Sequence, residues 1–89
     1  MYYEWDESKA RTNLARHGVY FSHAERFDWS TAIEAEDTRF DYGEVRWVAL
    51  GFIDNQLFVL VYTPRNATIR IISLRKATKR EQVYYETQT

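Results

Sequence analysis

Apolar positions fall into two regimes along this chain. Up to about residue 28 they are sparse and spaced as on helices, whereas from Thr31 to Arg75 they crowd into short runs rich in Val, Ile, Phe, Tyr and Trp. In the first regime Asp6 suits an N-cap and Glu7 the positive end of a helix. Arg16 and His17 suit the negative end, and Gly18 the left-handed position beyond it. Together they predict a helix over 7–17, with Ala10, Leu14 and His17 on one face and Asn13 beside them. Ser22-His23-Ala24-Glu25 has the S-x-x-E form of a capping box and predicts a second, short helix over about 23–28. Met1 to Trp5 reads as a short strand or an extended lead-in.

The second regime predicts four strands, at 31–36, 45–52, 56–63 and 68–75. A charged stretch at 37–44, the pair Asp54-Asn55 and the triplet Pro64-Arg65-Asn66 supply the turns. The later connections are too short for parallel crossovers, so the strands should form an antiparallel meander. Both faces of 57–62 are apolar, which puts that strand at the centre. Thr78-Lys79-Arg80-Glu81 is a second capping box and opens a helix over 79–86, with Val83, Tyr84 and Tyr85 as its packing residues. The expected fold is α+β: a mainly antiparallel four-stranded sheet, two N-terminal helices covering one face through Leu14, Phe21 and Phe27, and a C-terminal helix, all in one domain over 1–89. Trp5 and Trp47 read as core residues.

Composition narrows the function. The 45% hydrophobic and 17% aromatic content is enough to bury a core in a small chain. Without cysteine there is no disulfide and no thiolate metal site, which fits a reducing cytoplasm. No apolar run approaches the ~18–20 residues of a membrane span, and the N-terminus lacks the apolar stretch of a secretory signal. No glycine-rich phosphate loop occurs. Asp37 and Asp41 lie in a turn where ion pairing to Arg39 or Arg46 is the simpler account, so neither metal nor cofactor is expected.

Charge is the sharper signal. Net charge is −1, yet residues 1–44 carry −5 and residues 45–89 carry +4. Between Arg65 and Arg80 stand Arg65, Arg70, Arg75, Lys76, Lys79 and Arg80, with no acid among them. Such asymmetry points to a polyanionic partner, and arginine's fork suits phosphate oxygens. A solvated basic face is the alternative account of the same residues.

Four stretches carry a family resemblance. They are Glu4-Trp5-Asp6 with Lys9, Asn13, Arg16-His17-Gly18-Val19 and Phe21; Asp37-Thr38-Arg39, Asp41-Tyr42-Gly43-Glu44, Arg46 and Ala49-Leu50-Gly51; Val61-Tyr62-Thr63; and Ile69-Arg70-Ile71-Ile72-Ser73, Arg75-Lys76-Ala77-Thr78 and Arg80-Glu81. Together they resemble the BrnT family of type II toxins. The resemblance implies a fold similar to RelE ribonuclease toxins and RNA cleavage that blocks translation. It also implies a BrnA antitoxin with a ribbon-helix-helix part, in a complex that represses its own operator DNA.

RNA cleavage without a metal uses the 2′-OH beside the scissile phosphate, and cations must offset the charge that grows on the phosphoryl oxygens. On that reading Arg70, Arg75 and Arg80 are phosphate and transition-state contacts, and Lys76 transfers a proton or holds phosphate. Arg65, Lys79 and Tyr84 are RNA-binding candidates, the tyrosine by stacking on a base. Arg75 and Lys76 alternate along a strand, so one cleft could hold both only through a bulge or a bend. Both histidines lie outside the cationic segment: His17 reads as a helix-end residue and His23 as an exposed part of its capping box. A non-catalytic module that binds nucleic acid or an antitoxin with the same surface is the competing reading.

Overall fold

The computed structural model describes residues 2–89; Met1, expected at the head of the first extended segment, lies outside the described residues. Strand β1 (Tyr2–Glu4) leads into helix α1 (Glu7–His17) and then a 3-10 helix over Phe21–Arg26. Strands β2 (Phe27–Glu36), β3 (Trp47–Ile53), β4 (Gln56–Arg65) and β5 (Thr68–Lys76) follow, and helix α2 (Lys79–Gln88) closes the order. The sheet has five strands in the order β1-β5-β4-β3-β2, with β4 central as its two apolar faces require. The meander from β2 to β5 is antiparallel, while β1 pairs parallel to β5, Glu4 opposite Arg70.

Helix ends follow the local signals. Asp6 accepts from the Lys9 N–H at 3.1 Å, and Gly18 takes φ +69° beyond the last turn. Thr78 and Glu81 form the expected reciprocal box at the head of α2. Two expectations give way. The sheet has a fifth strand, and the segment after Ser22 is not a second α-helix. Its N-cap is Tyr20, without a side-chain cap bond, and Phe21, Ala24 and Phe27 are all buried. A spacing of three suits the three-residue turn of a 3-10 helix, and Phe27 already opens β2 opposite Ile53.

Each face of the sheet has its own core. On one, α1 and the 3-10 helix cover Phe58, Leu60 and Tyr62 of β4 with Ile71 and Leu74 of β5. Phe21 and Phe27 are nearly fully buried there, while Leu14 is half-buried and the most enclosed residue of α1 is Asn13. Trp5 and Trp47 pack against this core half-buried. On the other face Tyr85 of α2 sits on Leu50, Leu57 and Val59. Tyr85 alone of the three expected packing residues is buried; Val83 and Tyr84 face outward, 49% and 52% exposed. The Tyr85 hydroxyl donates to the Thr31 carbonyl at 2.6 Å, at the irregular stretch of β2 between Asp28 and Ile33. No helix among the described residues is long and apolar enough to cross a membrane.

Candidate functional site

The site is set by one extra residue in β5. Ser73 stands opposite Val61 and Ile71 opposite Tyr62, so Ile72 is a bulge with no partner of its own. Directly opposed residues share a face. Arg70 opposite Thr63, Ser73 opposite Val61 and Arg75 opposite Val59 therefore all lie on the α2 side of the sheet. Without the bulge, positions 70 and 75 would have fallen on opposite faces. Lys76 stands opposite Phe58 and belongs to the α1 side. The strand persists through it, so Arg75 and Lys76 do diverge; the bulge unites the two arginines instead.

Both arginines meet a carboxylate. The Arg70 Nη1 donates to Glu4 Oε2 at 2.9 Å, bridging β5 to β1. Arg70 thus anchors β1 to the sheet through Glu4. The Thr68 hydroxyl is the larger influence on Glu4, and with Arg70 it holds that carboxyl below its ordinary pKa. The two terminal nitrogens of Arg75 reach the two oxygens of Glu81 at 2.8 and 2.9 Å. This fork brings the Glu81 carboxyl down to about 2, with the Thr78 N–H adding to it. Glu81 is thus both the capping residue foreseen from its spacing and the partner of Arg75, a link across six residues that spacing alone did not reveal.

The loop between β2 and β3 is fixed by its acids. Buried Asp37 accepts from the Arg39 side chain at 2.9 Å through two nitrogens and from the Tyr42 hydroxyl at 3.0 Å, which keeps it well below the usual carboxylate range. Asp41 accepts from the Gly43 N–H instead of an arginine. Arg46 lies 4.0 Å from the centre of the Tyr42 ring and 3.6 Å from Glu44. Arg65 is exposed at the far end of the β4–β5 hairpin, 3.3 Å from the same glutamate.

The remaining candidates are dispersed. Lys79, Arg80 and Tyr84 project from the exposed side of α2. Lys76 borders a cleft of about 750 Å³ between the β3–β4 turn, the end of α1 and α2, which His23, Gln82 and Tyr85 also line. His23 is half-buried there, contrary to its expected exposure. The structure therefore sets Arg65, Arg70 and Arg75 on one face of the sheet, Lys76 on the other and Arg80 on the outer side of α2. Ser73, which the family resemblance places in one run with these cations, lies on the same face between the two arginines.

The chain has relatives among known families and solved structures. No curated protein sequence matches the chain. The 1.1 Å crystal structure of the Brucella abortus ribonuclease toxin BrnT is similar to it, with a TM-score of 0.68 and 27% identity over 89% of this chain and 100% of that one. The profile of the BrnT ribonuclease toxins of type II toxin-antitoxin systems matches residues 5–81, a span that takes in β5, its bulge and the first turn of α2. The chain belongs to the BrnT family, the ribonuclease toxins of type II toxin-antitoxin systems.

Proposed function

We propose that this chain cleaves RNA without a metal ion on the sheet face that carries Arg70, Ser73 and Arg75. The observation behind this reading is the bulge at Ile72, which sets two guanidinium groups on one face. Arg70 uses one terminal nitrogen on Glu4, and its other nitrogens have no protein partner among the described residues. They are the donors for a phosphoryl oxygen as negative charge builds there. Arg75 is already forked onto Glu81, so its chief part is to hold the head of α2 beside the bound RNA. Lys76, Lys79, Arg80 and Arg65 take flanking phosphates, and Tyr84 stacks on a base. The protein partner is a BrnA-like antitoxin with a ribbon-helix-helix part, which brings the complex to operator DNA, and the pair acts in the cytoplasm.

A second reading draws on the same ion pairs. Two arginines already matched by carboxylates could serve a binding surface that does not cut. The test is cleavage of RNA by purified protein in EDTA, wild type against Arg70→Lys and Arg70→Ala. Lysine keeps a charge for Glu4 and loses the fork. Cleavage should fall about a hundred- to a thousandfold in both, with RNA binding reduced far less. Unchanged cleavage in folded variants removes Arg70 from the mechanism. RNA binding with no cleavage by the wild type establishes the second reading.

A further inference from the structure

We infer that a groove between α1 and the bulged edge of β5 is a second phosphate-binding subsite for RNA, and this rests on the proposed RNA-directed activity. Strand β1 pairs with β5 only over Thr68–Arg70, and beyond that point α1 takes its place along the edge. Asn13 makes the junction. Its carboxamide donates to the carbonyls of Leu74 at 2.8 Å and Val19 at 3.1 Å and accepts from the Leu74 N–H at 3.1 Å, as a neighbouring strand would. The groove beside it holds about 290 Å³.

Its lining is made of hydrogen-bond donors. Lys9, Thr12 and Arg16 fall on one face of α1, with His17 at its end, and Ser73 closes the groove from β5. Among the described residues no carboxylate borders it. The two acids at the head of α1 are engaged elsewhere: Asp6 caps the Lys9 N–H, and Glu7 accepts from the Trp5 indole. Among the described residues neither Lys9 nor Arg16 enters an ion pair, in contrast to Arg70 and Arg75. Ile72 is the one large apolar side chain of the lining, too little to seat an amphipathic protein segment, whereas hydroxyl, imidazole and cationic donors together match phosphate oxygens. Ser73 belongs both to this groove and to the arginine face, so a single strand bound on that face continues over the β5 edge into the groove.

The experiment measures binding of a 2′-O-methyl RNA oligonucleotide, which keeps its phosphates and cannot be cut through a 2′-OH. The proteins are wild type, the double variant Lys9→Gln/Arg16→Gln, the single variants, and Arg11→Gln, an exposed cation of the same helix outside the groove. The double variant should bind roughly tenfold more weakly near 0.1 M salt, and the slope of log K against log salt should fall by about 1.4, two single-strand phosphate contacts. Arg11→Gln should match wild type, and all should melt alike. Wild-type affinity and slope in the double variant overturn the subsite while cleavage through Arg70 can still stand. An equal loss in Arg11→Gln also overturns it, because it would reveal a general charge effect. Loss of antitoxin binding with RNA binding intact assigns the groove to protein instead, and absence of any RNA binding by wild type overturns both proposals.

Discussion

Replacing Arg75 asks what holds the last helix to the sheet. Of α2 only Tyr85 is buried, so the Arg75–Glu81 fork is its second attachment. Each side chain of the pair keeps 31% of its surface exposed. Lowering a carboxyl from 4.5 to about 2 would be worth about 3 kcal/mol if none of it were screened, at ~1.36 kcal/mol per pH unit. Solvent on a third of each partner reduces that to about 1–2 kcal/mol. Arg75→Ala should therefore lower the melting temperature by roughly 4–15 °C in a domain of this size. A double-mutant cycle with Glu81→Ala, read by urea unfolding at pH 7, should return a coupling of about 1–2 kcal/mol after the separate loss of the cap cancels. The pH dependence has a fixed sign. A carboxyl depressed in the folded state stabilises above its ordinary value near 4.5, and that stability is lost as pH falls through about 2. The gap between wild type and Arg75→Ala should thus narrow from pH 4.5 down to 2. A coupling below ~0.3 kcal/mol, or a gap unchanged with pH, refutes the fork as an attachment of α2.

Two further substitutions test the scaffold that shapes the site. Asn13→Ala removes the two bonds that bind α1 to β5 and a third to the Val19 carbonyl, and leaves the Leu74 N–H buried beside an apolar methyl; it should cost about 2–4 kcal/mol in urea unfolding and strip that amide of protection from hydrogen exchange. Gly51→Ala places a methyl 2.8 Å from the tip of the Phe27 ring and 3.3 Å from the Ala32 backbone; it should cost about 1–3 kcal/mol, and wild-type stability would mean that β2 yields more readily than its packing implies.

What the sequence made legible was local. The ends of α1 and α2 were readable because cap and helix lie within a few residues of each other, at Asp6, Gly18 and the Thr78–Glu81 box. The meander was readable because short turns leave adjacent strands no other way to pair. The pairing of β1 gave no such signal: its three residues pair in parallel with a segment more than sixty residues away, and β1 supplies the acid that binds Arg70. The bulge at Ile72 is marked by neither glycine nor proline, so the face of every residue before it was undetermined relative to those after it. For that reason the cationic segment could be read as a charge cluster but not as an arrangement. Its members divide between a paired arginine face, the Lys76 cleft and the outer side of α2. The groove on α1 was hidden because Lys9, Arg16 and His17 lie in the acidic half of the chain, where the net charge of −5 masked a local excess of cations.

The most direct test of metal-independent cleavage on the arginine face is the chemistry of the cut ends. RNA treated with wild-type protein in EDTA should carry 2′,3′-cyclic phosphate on one side of the break and a 5′-hydroxyl on the other, as attack by the neighbouring 2′-OH demands, and Arg70→Lys should suppress both ends together. Cleavage that needs added Mg²⁺ and leaves a 5′-phosphate, or ends that form at the wild-type rate with Arg70→Lys, would contradict it.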